Sequence, residues 1–424
     1  MINKLVYHKY TSFKYRQSIV FSMLLERTIK EIVQLQENSF LSRDAGVRRD
    51  LLDRIDLNVP HAIIISGIRR CGKSTLLRQL MQQKGECNFF NFEDSRADGF
   101  ELNDFERLDR AFEEAHPGVS CYYLDEIQVV PGWERFVRGK LDFGNKFVIT
   151  GSNASLLSRE LGTKLTGRHH TYELFPFSYS EALRFKGQSP SLASFNDYAD
   201  RGGFPEYARS GTYELLQQLF KDIVTRDVVI RYRLRNAAML ESLATFLLSN
   251  VGSKFSYTKL GKTFGATTKS ITEYVPYLEA SYMLFAVPMF SYSYRKTLVN
   301  PKKIYAIDPG FIKANTVSFT DDNGSLLENI VYLQLRRAHS KDAIYYYRGK
   351  RECDFIVTDR KKPSQAIQVC YQLTKDSLQR EIDGVSEAMK ELKIDKGLII
   401  TLDQTDKFGD VDVMPAWRWL AQQS

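Results

Sequence analysis

Cysteine is scarce and scattered in this chain. Its 424 residues hold five (Cys71, Cys87, Cys121, Cys353 and Cys370), odd in number and without a C-x-x-C pair. That argues against a disulfide framework or a paired-thiolate zinc site and fits a reducing cytoplasm. Long apolar runs are missing too. No stretch approaches the roughly 20 residues a bilayer-spanning helix needs. The segment from Ile19 to Leu25 is too short and too polar in its flanks for a signal peptide. No membrane partner is expected. Internal repeats, low-complexity tracts and long flexible linkers are absent, which leaves ordinary packed domains. Excess charge of one sign is small: 59 Lys+Arg against 51 Asp+Glu gives +8. This permits nucleic acid or an anionic surface as partner without demanding either. The length leaves room for two or three domains, each with its own core.

What is present is concentrated between Ile63 and Leu77. There an apolar run leads into Gly67-Ile68-Arg69-Arg70-Cys71-Gly72-Lys73-Ser74-Thr75, which reads G-x-x-x-x-G-K-S and continues as a helix-forming stretch. Strand, glycine loop and helix in that order are what a phosphate cradle requires. Gly67 and Gly72 permit backbone angles that turn successive N–H groups onto phosphate oxygens. The helix start adds its positive end. Lys73 is expected on the β- and γ-phosphates and Ser74 on Mg²⁺. Cys71 fills a variable position of the motif and reads as an oxidation liability.

About fifty residues later, Val119 to Leu124 is an apolar strand ending in Asp125-Glu126. Asp125 is placed to hold Mg²⁺ and Glu126 to orient or deprotonate water. A kinase needs no such second carboxylate and a hydrolase does, so the pair favours ATP hydrolysis. Next, Lys146 to Thr150 forms a strand followed by Gly151-Ser152-Asn153. Ser152 and Asn153 are candidates to sense the γ-phosphate. The same residues read equally well as a turn capping a helix from Ala154 to Leu161. Arg168, in Gly167-Arg168-His169-His170 before a strand over Thr171 to Phe175, is a candidate arginine finger acting on its own or a neighbouring subunit's nucleotide.

The order of these motifs resembles the AAA-type P-loop ATPases of bacteria and archaea that carry a C-terminal domain of unknown function. The residues that carry the resemblance are Gly67 to Thr75, Tyr123 to Gln128, Thr150 to Asn153, Thr166 to Arg168 and Leu174 to Ser178. Gly202 to Glu206 and Arg226-Asp227-Val228 extend it downstream. It spans about residues 24 to 405. It implies an additional-strand NTPase fold, in which another strand separates the Asp-Glu strand from the phosphate-loop strand.

Upstream, Leu24, Leu25, Ile29, Ile32 and Val33 make an amphipathic helix stripe, and a second helix is expected around Val47 to Ile55. Met23 is a candidate for the true start, ahead of which the first residues read as a basic, aromatic extension. Downstream, Asp222 to Glu279 is helical by period. Two short helices meet at a turn near Gly265, and strands at Leu284 to Phe290 and Lys303 to Ile307 follow. The resemblance also suggests a winged helix here. In a DNA reader Lys269 and Thr272 would face bases, and Arg295, Lys296, Lys302 and Lys303 would meet phosphates.

The last segment, αβββαβ in order, resembles the core of the PD-(D/E)xK nucleases. That resemblance puts Glu328 and Asp354 in the first two metal-binding places. Gln368-Val369-Cys370 stands where Glu-x-Lys belongs. Gln368 brings an oxygen but no charge, and Cys370 cannot polarise a phosphate, so the domain reads as nuclease-like in fold and inactive. The run from Tyr345 to Arg351 offers aromatic and basic groups to nucleic acid, although alternating burial along a strand explains it too. Trp417 and Trp419 are expected to pack the tail onto this domain.

The expected architecture is α/β: an N-terminal helical extension (1–50), an AAA-like ATPase domain (51–187), a helical and winged-helix region (188–320) and a nuclease-like domain (321–424). The expected function is Mg²⁺-dependent hydrolysis of ATP coupled to movement of the appended domains. An ATP-gated DNA-binding or DNA-cleaving protein and a slow nucleotide-bound signalling scaffold are the alternatives. A protein client and a homo-oligomer remain open as partners.

Overall fold

The computed structural model describes residues 24–152, 165, 167–316 and 323–422. Asn153, Thr166, the residues before Met23 and the helix expected from Ala154 to Leu161 lie outside them.

The first sheet is parallel throughout. Its strands are β1 (Ala62–Ser66), β2 (Asn88–Asn91), β3 (Cys121–Asp125), β4 (Lys146–Gly151) and β5 (His169–Glu173). They lie in the order β2-β3-β4-β1-β5, so β4 separates the Asp-Glu strand from the phosphate-loop strand. The period-two alternation of a strand sends neighbouring side chains to opposite faces. Ala62 and Ile64 join one core with Phe90, Leu124 and Phe147. Ile63 and Ile65 join the other with Leu76, Leu77 and Tyr123. Two-sided burial explains why these strands read as continuous apolar runs.

Helix α1 (Glu26–Leu41) buries Ile29, Ile32 and Val33 against α3 (Phe105–Ala115). Leu25, expected in that stripe, is exposed, because the helix begins after it. The second expected helix is only a 3₁₀ turn, Asp50–Arg54. The phosphate-loop helix α2 runs Lys73–Lys84, and α4 (Glu134–Asp142) leads into β4.

Beyond β5 come α5 (Tyr179–Lys186), α6 (Leu192–Arg201), α7 (Pro205–Ser210) and α8 (Tyr213–Asp222). Helix α8 passes directly into a π-helical segment, Ile223–Ile230. Helix α9 (Ala237–Leu248) follows, then β6 (Lys254–Phe255), α10 (Tyr257–Thr263), α11 (Thr268–Ala280), β7 (Leu284–Val287), α12 (Tyr294–Val299) and β8 (Lys302–Ala306). The strands form a small antiparallel sheet in the order β6-β8-β7.

After α13 (Pro309–Asn315) the last segment keeps the expected αβββαβ order: α14 (Asn323–Ala338), β9 (Ile344–Arg348), β10 (Glu352–Asp359), β11 (Lys362–Val369), α15 (Lys375–Leu392) and β12 (Gly397–Thr401). A hairpin of β13 (Asp406–Phe408) and β14 (Val411–Pro415) extends this sheet. The tail helix α16 (Ala416–Gln422) buries Trp419 and packs on α5 and α6 as well as on α14. The tail therefore clasps two regions rather than one.

Candidate nucleotide site

Gly67 and Gly72 are required by the backbone. A Cβ on Gly67 would fall 2.2 Å from the Leu174 carbonyl oxygen, and Gly72 has φ of 102°. Arg70 also sits at positive φ, 62°, without being glycine. The loop wraps back on Lys73, whose Nζ donates to the carbonyls of Gly67 and Ile68, both at 3.2 Å. The same ammonium lies 3.3 Å from Glu126 Oε1.

Ser74 Oγ donates to Asp125 Oδ2 at 2.8 Å. A hydroxyl and a carboxylate side by side are hard oxygen donors of the kind that hold Mg²⁺ together with nucleotide phosphates. Thr150, fully buried on β4, ties the two acids together: its hydroxyl donates to Asp125 and accepts the Glu126 backbone N–H at 3.1 Å. Glu126 adopts φ of 54°, turning its carboxylate back into the site. There Oε2 accepts from the Ser152 N–H at 3.0 Å and from the Gln128 amide.

Burial and the adjacent Glu126 charge push the Asp125 carboxyl above its usual range. Burial acts the same way on Glu126, but Lys73, Gln128 and Arg69 outweigh it and hold that carboxyl below its usual range. Neighbouring carboxylates with opposed shifts give this site its polarity. Lys73 keeps its proton because Glu126 and Asp125 offset the cost of burying the ammonium.

The structure thus brings Gly67 to Thr75, Asp125, Glu126 and Ser152 together. It does not bring Arg168. The Arg168 carbonyl accepts the Ala62 N–H at the entrance of β1, whereas the phosphate loop leaves from Ser66 at the exit. Four residues of strand put Arg168 roughly 13 Å or more from the loop, and its side chain pairs with Asp142. Within one chain it is no finger. Cys71 is fully buried with its thiol on the Leu174 carbonyl, so it is not an accessible oxidation site.

Arg49 belongs to no motif legible in the sequence. It is 2% exposed and lies beneath the phosphate loop. Its guanidinium donates to Cys71 O and Phe175 O, both at 2.7 Å, and to Glu181 Oε1 at 2.9 Å. One planar fork thus fixes the loop, the segment after β5 and α5. Tyr282, from the loop before β7, reaches Ser66 Oγ at 3.0 Å and so touches the end of β1.

Two expectations around the C-terminal cluster are corrected. Lys303, expected on DNA phosphates, is 3% exposed and points inward. Its Nζ lies 2.7 Å from Asp354, 2.9 Å from Glu328 and 3.2 Å from Glu352. Gln368 does not offer its oxygen to a cation. That oxygen accepts the Asp354 N–H at 3.2 Å, and its amide donates to Glu381 at 2.8 Å. Lys302 is turned onto Tyr257, with Nζ 5.5 Å from the ring centroid. Among the described residues no group of His, Cys, Asp and Glu is arranged to hold a metal ion.

A model of an AAA domain matches residues 59–183, and two models of domains of unknown function, DUF8612 and DUF4143, match 192–321 and 323–419. The uncharacterized protein MJ1544 of Methanocaldococcus jannaschii is 30% identical over 94% of this chain and 97% of its own length. An uncharacterized protein of Haemophilus influenzae is 29% identical over 85% and 94%. AMPPCP-bound DnaA from Aquifex aeolicus aligns over 59% of this chain and 88% of its own, with 14% identity and a TM-score of 0.27. No helix among the described residues is long and apolar enough to cross a membrane. With its strand order, phosphate loop and end-to-end match to MJ1544, the chain belongs to an AAA-type P-loop ATPase family.

Proposed function

We propose that the chain binds ATP with Mg²⁺ and hydrolyses it, passing the nucleotide state to the helices and sheets appended to the ATPase core. The observation that carries this is Glu126. A second carboxylate, held ionised and aimed by Ser152 N–H, Gln128 and Lys73, stands next to the Ser74–Asp125 pair. A water nucleophile has to be oriented and relieved of a proton, and a carboxylate in this position serves both needs. Ser74 and Asp125 would hold Mg²⁺, which would supply neutralisation of phosphate charge. Lys73 and the loop N–H groups orient the phosphates, and Glu126 positions the attacking water and takes its proton. Asn153 is retained as a candidate γ-phosphate sensor. A finger role for Arg168 requires a neighbouring subunit.

Titration with fluorescent ATP tests the binding half. Lys73→Ala removes the ammonium that faces the phosphates and weakens ATP about 100-fold, the scale of a lost charge-assisted contact. Unchanged affinity in that variant would sink the assignment of the loop.

A nucleic-acid reading has narrower support. Lys269 and Thr272 are exposed on α11, and Arg295 and Lys296 on α12, which suits the winged-helix interpretation of this region. The DNA-cleaving alternative is disfavoured, because Lys303 already fills the midst of Glu328, Asp354 and Glu352.

A further inference from the structure

Two positions of the phosphate loop that the cradle itself leaves free are both arginine, and each is held by a carboxylate from the appended helices. Arg70 pairs with Glu206 on α7 at 3.0 Å, at the surface. Arg69 is more enclosed. Its Nε lies 2.8 Å and 3.0 Å from the two oxygens of Asp227, and its Nη1 is 3.3 Å from Glu93. Asp227 is 5% exposed and belongs to the π-helical segment Ile223–Ile230. π-Helical turns are rare and gather at functional places, and this one aims an acid at the phosphate loop. Burial pushes the Asp227 carboxyl up, with Arg69 opposing it. Arg69 also acts electrostatically on Glu126. One guanidinium therefore stands between the phosphate loop and a π-helical segment.

A guanidinium on a carboxylate is also what binds a phosphate with the right fork geometry. A ligand shifts a conformational equilibrium only by its differential affinity for the two states. The γ-phosphate is the group by which ATP and ADP differ.

We propose that Arg69 reads the γ-phosphate: ATP draws its guanidinium from Asp227, releasing the Ile223–Ile230 segment, and ADP leaves the clamp closed. This rests on the ATP-binding reading above and names the contact by which nucleotide state leaves the site. Because coupling is reciprocal, weakening the clamp strengthens ATP selectively.

The test uses the full chain, Mg²⁺, ADP and the non-hydrolysable β,γ-imido analogue of ATP. Asp227→Asn, nearly isosteric, tightens the ATP analogue about tenfold and leaves ADP within twofold, in line with ordinary coupling factors. Arg69→Gln reduces the preference for the ATP analogue over ADP. Hydrogen exchange of residues 223–231 speeds up with the analogue but not with ADP in the wild type, and with neither in Arg69→Gln. Equal effects of Asp227→Asn on both nucleotides, or exchange that is the same with both in the wild type, would overturn the clamp. A wild type that binds the analogue through Lys73 yet gives those results overturns the clamp alone. A wild type that binds neither nucleotide overturns the ATP reading with it. If Asp227→Asn melts below the wild type, the exchange pattern of Arg69→Gln decides the matter by itself.

Discussion

Lys303→Met destabilises the protein by about 3–5 kcal/mol, the scale expected when one partner of a buried ion cluster is removed. The lysine lies within 3.2 Å of three carboxylates while 3% exposed. Tyr305 contributes a further hydrogen bond to Glu328, at 2.6 Å. Methionine keeps the length and volume of the side chain but leaves Glu328 and Asp354 facing each other without a counter-charge. Burial and the Asp354 charge already push the Glu328 carboxyl up, so removal of the cation raises it further. Asp354→Asn placed on Lys303→Met then restores part of the loss, a coupling that independent sites would not show. Urea unfolding of the two variants beside the wild type checks this. A Lys303→Met protein within 1 kcal/mol of wild type would mean the cluster is hydrated rather than closed. The contact also crosses the molecule. Lys303 lies on β8, Glu328 on α14 and Asp354 on β10, so the small sheet and the C-terminal sheet loosen together. Backbone bonds between Phe290 and Tyr346 (2.7 Å) and between Tyr346 and Pro288 (3.1 Å) run along the same seam.

Arg49→Ala has an effect of similar size, about 3–5 kcal/mol, for the same reason. It strands Glu181 at 3% exposure and leaves the carbonyls of Cys71 and Phe175 without their donor. Unlike the Lys303 variant, it also acts on the nucleotide site, because the Cys71 carbonyl belongs to the phosphate loop. Arg49→Lys recovers little. A lysine is a single ammonium and cannot reach two carbonyls and a carboxylate in one plane. Thermal melts together with ATP titration separate the two consequences. An Arg49→Ala protein that melts normally would contradict the account of the buried fork.

The parts of this molecule that could be read in the sequence are local ones. The phosphate loop lies within nine consecutive residues, so its glycines, lysine and serine announce themselves. The Asp125-Glu126 pair is legible because a strand must end before it. Helix α11 and the α14-to-β12 order follow from period and turn residues. The resemblance added the strand order, which periodicity does not contain.

What stayed hidden depends on partners far away in the chain. Arg49 finds Glu181 across 132 positions and Lys303 finds Asp354 across 51. A lysine in a strand pattern beside other lysines looks solvated, and only the fold reveals that alternation turns Lys302 toward Tyr257 and Lys303 into the cluster. Gln368 is hidden for a related reason: its side-chain oxygen accepts from Asp354 on the neighbouring strand. Arg168 reads as a finger from its neighbours in sequence, but a parallel strand has two ends, and Arg168 stands at the end away from this chain's own phosphate loop. The π-helical turn at Asp227 has no compositional mark, since Ile223 to Ile230 reads as an ordinary amphipathic helix.

The most direct test of the central claim is steady-state ATP hydrolysis by the wild type beside Glu126→Gln, with ATP binding measured on both. The account predicts turnover in the wild type and a fall of about 10²–10⁴ in Glu126→Gln, the usual contribution of a positioned general base, with ATP still bound. Turnover that survives in Glu126→Gln, or ATP binding by both proteins with hydrolysis by neither, would contradict it.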